Sequence, residues 1–109
     1  IAVSSGNSFV HETESQVILN GSYNINFTMD LVLKDTGLFD DLAKKLGAPL
    51  EISPKVVDIF KDGQKKFGSR AWSSMIVKRM EDLNNIDFRA NGFPEELTDN
   101  EPEEKGYEI

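Results

Sequence analysis

The sequence predicts an all-α domain, a bundle of about four helices followed by a disordered acidic C-terminal tail. Three observations point there. Apolar residues recur at spacings of three, four and seven in several separate stretches, the period of a helix face. Start and stop residues stand at the ends of those stretches: Asn20-Gly21-Ser22, Gly47-Ala48-Pro49, Ser53-Pro54 and Gly68. No stretch of useful length alternates apolar with polar residues, as a half-wet strand would.

Ile1 to Val3 is a short apolar run ahead of the polar break Ser4-Ser5-Gly6-Asn7-Ser8. A first helix is expected from about Ser8 to Leu19, with Phe9, Val10, Val17 and Ile18 turned inward. Tyr23 to Asn26 connects it to the longest helix, which opens with Phe27-Thr28-Met29-Asp30-Leu31-Val32-Leu33-Lys34-Asp35. Thr28, or Asn26 two places earlier, can cap the unpaired first amides. Leu31, Leu38 and Leu42, with Val32, Phe39, Ala43 and Leu46, form one broad apolar stripe, and Asp30, Lys34, Gly37 and Asp41 a polar stripe beside it. Gly47 accepts a left-handed exit, and Pro49 cannot continue the ladder. A third helix starts with Ser53 as cap and Pro54 at the first position, where its missing N–H is not needed. Val56, Val57, Phe60 and Phe67 make its inner stripe, and Gly68 ends it. The fourth helix starts at Ser73 or Ser74 and carries Met75, Ile76, Met80 and Leu83 inward, with Trp72 as a core anchor just before it. After Asn84 the pattern fades. Asp87 to Gly92 is turn-like, and the stretch from Glu95 is acidic, proline-interrupted and poor in apolar residues, so disorder is expected. The domain is therefore residues 1–86, with an acidic tail over 87–109.

At 109 residues and 39% apolar composition, the chain supports one domain with a modest core. It has no cysteine, which excludes disulfides, zinc–thiolate sites and thiol nucleophiles and fits a reducing, cytoplasmic compartment. No apolar run approaches a membrane span, and no signal segment opens the chain. The net charge of −7 is misleading, because from Glu95 to Ile109 seven acids face one lysine, leaving the rest at −1. An almost neutral body is no nucleic-acid binder. A chain beginning at Ile1 rather than methionine suggests a fragment or a processed product.

The chemistry that the residue pattern offers is incomplete. His11 is the only histidine, and a metal site needs three or four converging ligands. No phosphate-binding glycine loop is present, and Ser4, Ser5 and Ser8 have no base spaced to activate them. Asp40-Asp41 and Glu81-Asp82 are neighbours in sequence, so on a helix each pair splays apart. Seven residues separate Phe27 from Lys34, about two turns, which places them on one face. The ordinary reading of Lys34 is a solvated pair with Asp30, worth about 0.2–0.5 kcal/mol. Gly37 argues for something more, since a mid-helix glycine costs about 1 kcal/mol against alanine and often marks a close approach to the backbone.

Phe27, Leu31, Leu33, Lys34-Asp35, Leu38, Ala43, Leu46-Gly47 and Pro49-Leu50, followed by Phe60, Gly68 and a closing helix, resemble the C-terminal domain of the β-hydroxyacid dehydrogenases. That family includes 3-hydroxyisobutyrate dehydrogenase, tartronate semialdehyde reductase and L-threonate dehydrogenase, and is related to 6-phosphogluconate dehydrogenase. The likeness covers roughly Ile1 to Leu83. It implies a two-domain, oligomeric enzyme that moves a hydride between NAD or NADP and a small β-hydroxyacid. The family's Rossmann domain, catalytic lysine and neighbouring asparagine would all precede Ile1, so this chain would hold no catalytic residue and be inactive alone. Lys34 would contact the cofactor, and Phe27 and Asp35 would wall the substrate pocket. The other reading is a non-enzymatic helical interaction module, with the Phe27–Lys34 face as a partner groove.

Overall fold

Each helix forms where the start and stop residues allow it, and the computed structural model describes residues 1–97 and Gly106. The order is α1 (Phe9–Asn20), α2 (Met29–Leu46), α3 (Ser53–Phe67), a 3-10 turn over Ser73–Val77, and α4 (Lys78–Asn84). Among the described residues the extended backbone amounts to one isolated antiparallel bridge, Thr28 to Trp72. The acidic tail expected to be disordered lies, past residue 97, outside the described residues apart from Gly106.

Ser8 caps α1 by accepting the His11 N–H at 3.0 Å, and Gly21 closes it at φ 94°. The start of α2 is built differently from expectation. Neither Thr28 nor Asn26 caps it by side chain. The Met29 and Asp30 amides instead donate to Ala71 O at 2.9 Å and Ser69 O at 3.1 Å, so the loop before Trp72 satisfies the helix's unpaired donors. Ser53 is likewise not the cap of α3: it is the first helical residue, and its hydroxyl donates to Asp40 Oδ1 at 2.5 Å, tying α3 to α2.

The α2–α3 pair is the main packed layer, with the 3-10 turn closing one side. Gly63 makes that closeness possible, since a Cβ there would lie 2.6 Å from Ile76 Cδ1 and 3.2 Å from Met29 Sδ. The core is small: among the described residues, Val17, Tyr23, Met29 and Ala43 are the buried apolar ones. Several expected inward residues point outward. Phe9 and Val10 on α1 are exposed, as are Met80 and Leu83 on α4. On α4 the reason is the 3-10 turn, which advances more steeply per residue than an α-helix and so rotates the next helix's inner face. Glu81, not its apolar neighbours, is the residue that α4 buries. On α2 the stripe Leu38, Phe39, Leu42 and Leu46 is 54% to 72% exposed, because α3 covers the opposite face, where Met29 and Ala43 are buried.

Candidate functional site

The opening of α2 sets the geometry around Lys34. Thr28 is extended, with φ −101° and ψ 159°, so Phe27 stands ahead of the helix and its spacing to Lys34 is not two helical turns. Phe27 is fixed by its backbone, whose carbonyl accepts the Ser73 N–H at 2.8 Å, while its ring is 37% exposed. The expected Asp30–Lys34 pair does not form. Asp30 accepts from the Thr28 hydroxyl, from the Leu31 N–H at 3.0 Å and from Arg70 Nη1 at 3.1 Å. The Thr28 bond, then Arg70, holds its carboxyl below the usual range.

Lys34 is thereby left to Asp35, whose Oδ1 lies 3.0 Å from Nζ, both side chains being more than half exposed. The structure brings Lys34 and Asp35 together on open helix surface. An exposed pair of this kind is worth little for stability, about 0–1 kcal/mol, which leaves the ammonium available to an anion. Beside the Phe27 segment, Asn24, Ile25, Asn26, Trp72, Glu96 and Leu97 line a hollow of about 240 Å³. Trp72, expected to anchor the core, is half-buried at its wall. Among the described residues no three His, Asp or Glu side chains converge on a metal position, and no helix is long and apolar enough to cross a membrane.

A polar cluster around the buried Glu81 joins Tyr23, at the start of the connector, to Arg89. Glu81 accepts from the Tyr23 hydroxyl, from Arg89 Nη1 at 2.7 Å and from the Phe88 N–H at 3.0 Å. Arg89 Nη2 donates to the Tyr23 hydroxyl at 2.7 Å, and the guanidinium carbon sits 5.2 Å from the Tyr23 ring centre. Burial alone would raise the Glu81 carboxyl, but the bonds from Tyr23, Arg89 and Phe88 outweigh it and hold the group below its ordinary value. Burial, reinforced by the bond to Glu81, pushes the Tyr23 phenol up to about 12. The one available signal in the sequence is Arg89 set among Ile86, Phe88 and Phe93 in a segment otherwise read as a turn.

Comparison with known proteins bears on the Lys34 region directly. L-threonate dehydrogenases of Escherichia coli K12 and of Escherichia coli O6:H1 strain CFT073 are each 27% identical to this chain over 73 residues. Those residues make up 67% of this chain and 24% of each relative, so the chain spans about a quarter of the length of the curated relatives it matches. No solved structure matches it. A family model described as NAD-binding of NADP-dependent 3-hydroxyisobutyrate dehydrogenase matches residues 1–80. That span runs through α1, α2 and α3 into α4 and takes in Phe27, Lys34 and Asp35, and on it the chain belongs to this family of NAD-binding dehydrogenase domains.

Proposed function

We propose that residues 1–86 form the helical, cofactor-closing domain of a two-domain NAD(P)-dependent dehydrogenase that oxidises a small β-hydroxyacid or reduces the matching semialdehyde. Its partners are a preceding Rossmann domain, the hydroxyacid and further copies of itself, and its compartment is the cytoplasm. The observation that carries this function is the family match over residues 1–80, which contains an unburied lysine held by one exposed carboxylate.

The donor set fits an anionic cofactor. Lys34 offers three N–H donors and a full positive charge on a rigid helix, and Asp35 keeps the ammonium oriented without burying it. Lys34 holds the cofactor, and Phe27 and Asp35 wall the substrate side. NAD(P), when bound, supplies hydride acceptance from the carbinol carbon. Phe27, whose backbone is held by the Ser73 N–H, keeps water from that region with its ring. The exposed stripe Leu38, Phe39, Leu42 and Leu46 supports contact with the rest of such an enzyme or with another copy. It would equally suit the interaction-module reading, but the family match favours the dehydrogenase.

The test is Lys34→Ala in the full-length enzyme, with L-threonate and 3-hydroxyisobutyrate as probe acids. Loss of one charge-assisted contact should weaken NAD or NADP binding, measured by titration, about 10- to 100-fold. The helix should remain intact, since the side chain is exposed. An unchanged cofactor Kd would remove Lys34 from the site.

A further inference from the structure

We propose that Arg89, acting through Tyr23 and Glu81, is a positioning residue that locks the connector between α1 and α2 and so sets the placement of Phe27. This rests on the role proposed above for Phe27 as a wall of the substrate pocket. The connector is strained. Tyr23 at φ 56° and Asn26 at φ 58° are both left-handed without being glycine. Such conformations cost about 1 kcal/mol or more each and persist only where the surroundings over-determine them.

Two separate elements do so here. From the 3-10 turn, the Ser74 hydroxyl donates to Tyr23 O at 2.6 Å, and the next residue back, Ser73, donates its N–H to Phe27 O at 2.8 Å. Adjacent buried serines therefore grip both ends of the Tyr23–Phe27 segment. From beyond α4, residues 86–97 return across the end of α1: Ala90 N–H reaches Leu19 O at 3.0 Å, Asn20 Nδ2 reaches Phe93 O at 3.0 Å, and the Ser22 hydroxyl reaches Glu95 O at 2.6 Å. Arg89 is the centre of that return. Its planar fork bonds the Tyr23 phenol and the Glu81 carboxylate together, each at 2.7 Å, which a lysine cannot reproduce. Glu81 and Arg89 both lie past the span that the family model matches, while Tyr23 lies within it.

The test uses the full-length enzyme with a fluorinated phenylalanine at position 27, in R89A, R89K and R79A backgrounds, beside a separate F27A enzyme. Arg79 is the control: its Nε donates to Asp62 at 2.6 Å, tying α4 to α3 away from the connector. In R89A the fluorine resonance should broaden or split. KM for the probe acids should rise about tenfold through misplacement of a contact, with kcat within about twofold. R89K should fall between wild type and R89A, and it carries the same comparison if R89A does not fold. R79A should leave both resonance and KM as in wild type. A sharp, unshifted resonance in R89A, or equal broadening in R79A, overturns the inference. A broadened resonance with unchanged KM overturns it too, where F27A does raise KM. An F27A enzyme with unchanged KM removes instead the pocket role of Phe27, which the fluorine spectrum does not use.

Discussion

Replacing Glu81 by alanine should destabilise the chain by about 2–4 kcal/mol. Breaking a buried ion pair from one side costs about 3–5 kcal/mol, because the other charge is stranded. Glu81 is only 2% exposed, which argues for the upper part of that range. The Arg89 side chain is 36% exposed, so water recovers part of its charge and lowers the figure. The Tyr23 hydroxyl and Phe88 N–H also lose their acceptor, at about 1 kcal/mol each if left dry. Against a total stability of roughly 5–15 kcal/mol this is a large share. Urea unfolding followed by circular dichroism reads it as a midpoint lowered by about 1–4 M, taking a slope of about 1–2 kcal/mol per M. A double-mutant cycle with Arg89→Ala should give a coupling of at least about 1 kcal/mol. A midpoint shift under about 0.3 M, or a coupling near zero, would refute the assignment of Glu81 as the anchor of the returning segment.

The same cluster sets a pH dependence with a defined sign. Glu81 has a folded-state value below its ordinary 4.5, so its contribution is present above 4.5 and is lost as pH falls through the lowered value. Tyr23 has a raised value, so its contribution is complete below the ordinary 10 and is lost as pH rises through about 12. Glu81→Gln should therefore flatten the acid limb of the stability curve.

Further outcomes follow from single positions. Gly37→Ala should stabilise the chain by about 1 kcal/mol in a thermal melt, since a Cβ there meets nothing within 4 Å and alanine is the better helix former. A loss of stability would mean that some surface approaches α2 closely at that point. Ser74→Ala should cost about 1 kcal/mol, because it removes one of the two hydrogen bonds at the Tyr23 carbonyl in a buried site and leaves only the bond from the Ile25 N–H at 2.9 Å. Ser73→Ala should cost less than about 0.5 kcal/mol or stabilise, because the buried Ser73 hydroxyl has no partner among the described residues; equal losses at the two serines in urea unfolding would contradict the hydrogen-bond assignment.

The helices are legible in the sequence because they depend on local rules. Gly21, Gly47 and Gly68 end helices where expected, each at positive φ, and Pro54 sits in the first turn of α3. The termini that were misread are those where a distant segment supplies the partner: Ser69 and Ala71 carbonyls at the start of α2, and Asp40 against Ser53. Spacing pairs Asp30 with Lys34, yet Arg70, forty residues on, competes with a better-placed guanidinium. The Tyr23–Glu81–Arg89 cluster has no periodic signature at all. It joins a connector, a helix and a loop, and only the fold makes them neighbours.

The two faces of α2 explain why its apolar stripe is a poor guide to what this chain buries. The seam toward α3 runs through buried Met29, half-buried Thr36 and buried Ala43 at sevenfold spacing, with half-buried Asp40 beside it, and its two polar members are hydrogen-bonded. The Thr36 hydroxyl donates to Val32 O at 2.7 Å, and Asp40 accepts from Ser53. A hydropathy pattern passes over such a seam and selects the greasier row, Leu38, Phe39, Leu42 and Leu46. Covering the remaining exposed part of those four side chains would be worth about 1–2 kcal/mol each, in sum a large share of the stability of a small domain. Helix α2 thus spends its less apolar side on α3 and leaves its more apolar side, with Lys34 and Asp35 at one end, exposed. A helix that needed only to stabilise this bundle would be expected to face the other way.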